Sequence, residues 1–223
     1  MSIREKRREE RKKEVLNTAL TLVQTSGITS VTMAAIAKHM KASVGGLYRY
    51  YPTKEAIFVG LQLRAIDAFD TLLTRRLGKR SEPNSRFDVL QQIVQGFGAW
   101  SAFRTEAPVY FRLLDQFISV PTRSLDDAGR AIINQSLAPI LARLAQTVSH
   151  ASQMGVLSPG DAMARTHILW AGLHGLEQFR KRDSDQAEEL TVDALIPVLL
   201  RDMLTGWGAS RGLVGSVLPN QTM

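Results

Sequence analysis

Apolar residues recur every three to four positions along most of this 223-residue chain, the spacing of helices that turn one face inward. Val15, Leu16, Ala19, Leu20, Leu22 and Val23 make a wide first stripe, and Gly27 closes it as a helix-ending residue. Thr32 then precedes Met33, Ile36, Ala37 and Met40, and Ser43 precedes Val44, Leu47 and Tyr51. Each hydroxyl is placed to cap a helix, so the pattern predicts two short helices that share one apolar seam. Only Lys41 and Ala42 separate them, a connection short enough to force a sharp angle and push the start of the second helix outward.

The helical period continues beyond Pro52. Ala56, Phe58, Val59, Leu61, Leu63, Ile66, Phe69, Leu72 and Leu73 carry a helix to about Leu77, and GKRSEPN over 78–84 is punctuated as a loop. Further helices are predicted over 85–104, 108–118, 125–153 with a break near Pro139, 160–182 and 187–207. No strand pattern and no fixed repeat competes with them. The expected fold class is all-α: a three-helix domain over 1–55, a larger helical domain over 56–207, and a flexible tail over 208–223.

Charge divides the chain differently from hydropathy. Through residue 54 there are eleven bases against four acids, a balance of +7, and +7 is also the net charge of the whole chain. The remainder is therefore neutral, and the basic head points to a polyanionic partner held at one end. A basic run such as RREERKK is often only a solubilising tail. Here Glu10 and Glu14 can pair within a helix at i, i+3 or i, i+4, so part of the run belongs to the first helix.

The two short helices have the form of a helix-turn-helix reader, and their side chains suit phosphates and base edges. Thr32 offers a hydroxyl and a helix amino terminus to a phosphate, though capping alone would also explain it. Tyr48 and Tyr50 carry phenolic hydroxyls that can donate to phosphate oxygens or meet base edges, and packing explains at most one of them. Leu47 and Tyr51, four apart, are assigned to the core. Lys54 follows Pro52 and Thr53 at the start of a helix, where it can clamp the duplex backbone. Val44, Gly45, Gly46 and Arg49 complete the surface expected to meet double-stranded DNA.

The order Gly27, then Thr32 with Ile36 and Ala37, then Leu47-Tyr48-Arg49-Tyr50-Tyr51-Pro52-Thr53-Lys54-Glu55 resembles the DNA-binding domain of the TetR family of bacterial transcriptional regulators. The resemblance runs from about Arg11 to Leu61 and implies a homodimeric, operator-binding regulator. Tyr51 stands where the family usually has Phe. Gly45 and Gly46 depart further, since relatives often carry a polar side chain in this turn. Two glycines cost roughly 1 kcal/mol each in helix propensity. Readout is then expected from close backbone approach, Tyr48, Tyr50 and DNA shape, with Lys41 and Ser43 holding phosphates.

The same resemblance gives the larger domain its expected roles. WAGLHG over 170–175 is similar to the Trp-His-Gly element of some family members, and Ala171, Gly172 and Gly175 let another helix approach closely. The last two long helices would then form a homodimer, which predicts a palindromic operator with half-sites about 34 to 36 Å apart. Trp100, Phe103, Tyr110, Phe111, Phe117 and Trp170 lie on helices that surround a pocket in the family, which implies a small hydrophobic or aromatic effector. Asp115, Gln116, His167 and His174 are the polar groups that could face it, although core packing is the better assignment for any single aromatic. His167, Trp170 and His174 share one helix face with Glu177, but three ligands on one helix seldom converge on an ion, so no metal is expected.

The absence of Cys excludes disulfides and thiolate metal sites. The chain shows neither a signal-peptide pattern nor a twenty-residue apolar run, so its expected location is the cytoplasm, with no membrane partner. No Gly-rich phosphate loop or Ser-His-Asp pattern in suitable context is present, and neither enzymatic activity nor a cofactor is expected. The leading reading is a sequence-specific repressor released from its operator by a ligand. Its alternative is a ligand-independent architectural DNA-binding protein. The sign of regulation depends on promoter layout.

Overall fold

The computed structural model describes residues 2–78, 83–119 and 125–218. Part of the expected loop (79–82) and part of the expected tail (219–223) lie outside the described residues. Among the described residues the chain is all-α, with ten α-helices, three short 3-10 turns and no strand. Two compact units form, Met1–Ala68 with Ala107–Ser136, and Phe69–Glu106 with Leu137–Met223.

The first unit opens with α1 (Ile3–Ser26), which Gly27 ends at φ 78°, its N–H bonded to the Val23 carbonyl. A 3-10 turn at Ile28–Ser30 leads to α2 (Met33–His39), α3 (Val44–Tyr48) and the first part of α4 (Lys54–Leu77). The expected stripe on α1 is real: Val15, Leu16, Ala19, Leu22 and Val23 are buried, and Met33, Ile36, Ala37 and Leu47 meet them in one core. Gly60 of α4 marks a close approach, since a Cβ there would lie 2.9 Å from Leu16 Cδ2. The unit is completed by α6 (Pro108–Ser119) and the start of α7 (Asp127–Gln153). Gln62 is buried in this unit, and its side-chain amide donates to the Leu113 carbonyl at 2.7 Å.

The second unit contains the rest of α4 and α7, with α5 (Arg86–Glu106), α8 (Ala162–Phe179), α9 (Val192–Gly206) and α10 (Arg211–Val217). Phe69, Trp100 and Phe103 form an aromatic cluster at its centre, with Phe69 edge-on to Trp100 at 5.6 Å. The helix expected to break near Pro139 does not break: α7 runs through it. A proline here removes one N–H and costs about 3 kcal/mol in helix terms, which burial of Ile140, Leu144 and Val148 on the same helix offsets. The stretch expected to be a flexible tail is a helix over Arg211–Val217, capped by Ser210 and anchored by buried Val214. Its two glycines and polar flanks hid that anchor from the sequence.

The end of α8 holds a charge network. The Glu177 side chain, 1% exposed, accepts two bonds from Arg180 at 2.8 and 3.0 Å and faces Arg104 Nε at 3.2 Å. Arg180 also reaches Asp193 at 2.8 Å. These bonds, Glu177 first, hold the Arg180 guanidinium above its ordinary range, and Arg180 in turn holds the Asp193 carboxyl low. Three elements are therefore tied by one buried carboxylate. Glu177→Gln removes the negative charge between two arginines and is expected to cost about 3 kcal/mol, a fall of very roughly 6 to 12 °C in unfolding midpoint by calorimetry; an unchanged midpoint would show that the network carries no stability.

Candidate nucleic-acid interface

The reader begins with a cap. Thr32 Oγ1 accepts the Ala35 N–H at 3.0 Å and starts α2, while Ser43 Oγ accepts the Gly46 N–H at 3.1 Å and starts α3. Between them the chain reverses through Lys41 at φ +50°, with the Lys41 N–H on the Lys38 carbonyl and the Ala42 N–H on the Ala37 carbonyl at 2.9 Å. This is the paired bonding of a helix end that normally uses glycine. A lysine accepts roughly 1 to 2 kcal/mol of strain there, so the position keeps a cation at the expense of backbone comfort.

The turn decides which side chains face out. Leu47 is buried, whereas Val44 (38% exposed) and Tyr48 (49% exposed), one turn apart, stand in solvent. Thr32, Lys41, Ser43, Gly45 and Arg49 are exposed with them, and Gly46, Tyr50 and Lys54 are half-buried. Helix α3 is shorter than expected. It ends at Tyr48, and Tyr50 and Tyr51 follow in a turn whose N–H groups bond the Leu47 carbonyl. Tyr51 is half-buried, and that burial raises its hydroxyl pKa above the ordinary value. Thr53 Oγ1 caps α4 through the Ala56 N–H at 3.1 Å. Lys54 lies over the Phe58 ring at 5.0 Å, so its stem is steadied by a cation–π contact. His39, which the sequence reading passed over, is exposed in the last turn of α2 beside Lys38.

A surface of hydroxyls, cations, two helix starts and aromatic edges held on a small rigid core is chemically suited to a duplex. Residues 15–61 match the sequence profile of the family described as bacterial regulatory proteins, tetR family. Residues 15–61 thus resemble the DNA-binding part of the tetR family. The transcriptional repressor KstR of Rhodococcus jostii is 36% identical over 62 residues, 28% of this chain and 29% of that relative. The chain thus spans less than a third of the length of this curated relative. Solved structures extend the likeness of fold. RolR in complex with resorcinol has a TM-score of 0.62 at 16% identity, covering 98% of this chain and 97% of RolR. AibR with isovaleryl coenzyme A and operator DNA has a TM-score of 0.61 at 18% identity, covering 94% of this chain and 98% of AibR.

The side chains expected to face an effector are distributed between the two units of the chain. Trp100 and Phe103 are buried in the second unit, where the Trp100 ring stands 5.9 Å from that of half-buried His174. Trp170, half-buried, meets His167 edge-on at 6.4 Å. His167 is exposed, and its Nδ1 lies 2.8 Å from the Met163 carbonyl of its own helix. Tyr110, Phe111 and Asp115 belong to α6 in the first unit, Phe111 buried and the other two half-buried. A cleft of about 160 Å³ in the first unit is lined by Val23, Gly27, Ile28, Arg112, Leu113 and Gln116, so Gln116 borders it and the expected aromatics do not. Among the described residues no group of three or more His, Cys, Asp or Glu side chains could hold a metal ion.

The two glycines of α3 are not equivalent. A Cβ on Gly45 meets nothing within 4 Å, whereas one on Gly46 lies 3.1 Å from the Ser43 oxygen that caps the helix. Gly45→Ser is therefore expected to keep or slightly raise thermal stability, by somewhat under 1 kcal/mol, while adding a new group to the outer surface and changing the preferred DNA sequence. Gly46→Thr presses on the cap, so any change in its DNA preference should come with a lower unfolding midpoint. Thermal unfolding of both variants beside selection of bound DNA checks this, and the reverse order of stabilities would contradict the assignment.

Proposed function

We propose that this protein is a cytoplasmic, homodimeric transcriptional regulator, a repressor that holds a palindromic operator through α3 and releases it when a small hydrophobic or aromatic ligand binds the helical body. The single observation that carries the reading is the turn at Lys41, which keeps Leu47 in the core while Ser43, Val44 and Tyr48 stand exposed on one short helix. KstR is a transcriptional repressor and AibR carries operator DNA, and both resemblances support the assignment. RolR with resorcinol and AibR with isovaleryl coenzyme A support a ligand-responsive body. Among the described residues no helix is long and apolar enough to cross a membrane.

The dimer reading draws on α8 and α9. Gly172 is filled by Leu199 of the same chain, with a Cβ there only 2.9 Å from Leu199, so this glycine serves the contact between α8 and α9 within one protomer. Ile168 (48% exposed), Phe179 (58% exposed) and Val198 remain in solvent on these two helices, and Gly175 has open space above it. An apolar surface of this kind suits a second copy of the chain packed as a four-helix bundle. Ligand release follows from linkage, because an effector that prefers mis-spaced readers weakens DNA binding by its ratio of affinities for the two states. Helix α4, unbroken over Lys54–Leu77, supplies a covalent route for it.

Selection of bound fragments from a random DNA pool at near-physiological salt is the direct test. The expected product is a palindrome whose half-site centres lie about one helical turn apart, or a multiple of it. Recovery of fragments with no enriched sequence would overturn the repressor reading and leave a protein that binds DNA by charge alone.

A further inference from the structure

We propose that Val44 selects a thymine in each half-site by packing its methyl groups on the thymine C5-methyl in the major groove; this deepens the proposed function and rests on it. Val44 is the first residue of α3 and directly follows the Ser43 cap. It is 38% exposed, whereas Leu47 of the same helix is buried, so Leu47 closes the core and Val44 is left outside it. A valine is a costly choice at that place. Its β-branch lowers helix propensity below that of alanine, in a helix of five residues that already holds two glycines. Exposed as it is, the side chain gives α3 nothing that alanine would not give better.

Around Val44 the helix start is poor in groups that can bond a base. The Ser43 hydroxyl oxygen is engaged by the Gly46 N–H at 3.1 Å. Gly45 carries no side chain, and a Cβ there would meet nothing within 4 Å. Arg49 folds back over Gly46, its Nη2 3.9 Å from where a Cβ of that glycine would stand. Tyr48 shares the outer face with Val44, but one turn further along the helix. The start of α3 therefore offers two methyl groups beside bare backbone.

The chemistry of the major groove then decides the partner. Guanine shows two acceptors there, cytosine a donor amine, adenine an acceptor and a donor, and thymine an acceptor and a methyl group. Methyls pressed on any of the first three edges strip water from polar atoms and return no hydrogen bond, which is a net cost. Pressed on the thymine methyl, they take apolar surface out of water on both sides. The short valine can reach that far because Gly45 beside it has no side chain to hold the helix off the base edges.

The test uses the full-length protein and the palindrome enriched by selection from random DNA. Each thymine of the half-site is replaced in turn, in both half-sites at once, by deoxyuridine, which lacks only the C5-methyl. At one position wild type is expected to lose about four-fold in affinity per methyl, hence about fifteen-fold for the symmetric pair, with little change elsewhere. At the same position a 5-methylcytosine–guanine pair should bind better than a cytosine–guanine pair, since it returns the methyl alone. Val44→Ala should keep the unfolding midpoint of wild type and bind the thymine and deoxyuridine duplexes alike. Three results would each overturn the role of Val44 while leaving the reader intact: an enriched half-site without thymine, equal binding of thymine and deoxyuridine duplexes by wild type at every position, or a Val44→Ala variant that keeps the full deoxyuridine penalty. A lowered midpoint in Val44→Ala would place the methyls in the core and overturn it too. Wild type that enriches no sequence at all overturns the repressor reading itself, and the thymine contact with it.

Discussion

The reader depends on a single backbone reversal. With Lys41 held at φ +50° and the Ala42 N–H tied back to Ala37, α3 leaves α2 at the angle that sends Leu47 inward and Val44 and Tyr48 outward. One residue more in this connection would rotate the outer face of α3 by about a hundred degrees, burying what now faces solvent. Every assignment made to this surface, from the phosphate-holding caps to the aromatic edges, presupposes that turn. The strain at a non-glycine residue is understandable if the cation is needed where the turn places it.

Much of this was legible because it is local. Thr32 and Ser43 announce their helices by type and position, Gly27 announces an end, and the apolar spacing of Val15 to Val23 gives the inner face of α1 directly. What was not legible depends on distant partners. Pro139 reads as a break, but the burial of its neighbours carries α7 through it. The segment from Ser210 reads as a tail because one buried valine is a weak signal against two glycines. The proposed effector residues were grouped by their aromatic type, and type does not say that α6 joins one compact unit while α5 and α8 join the other. Nor does sequence distinguish Gly45, which faces open space, from Gly46, which faces the cap.

Charge and packing divide the labour along α1. From Val15 onward the helix is a wall of the reader's core, and before it the same helix is richly charged and exposed over 3–10, with Lys12 paired to Glu9 and Arg11 to Glu14. In the other unit, charge is handled in the opposite manner: Glu177 is buried and fully engaged by arginines, a structural use of ions that asks nothing of an outside partner. The contrast agrees with the proposed placement of a polyanionic partner at the amino-terminal end.

The most direct measurement of the central claim is the operator affinity of Tyr48→Ala, taken together with its unfolding midpoint. Tyr48 is half exposed and outside the core, so its removal should leave stability within about 0.5 kcal/mol of wild type while weakening operator binding about ten-fold or more, the effect of roughly one good base or phosphate contact. Unchanged affinity would contradict the claim that the outer face of α3 reads DNA. Parallel loss of stability would contradict the geometry on which that claim stands.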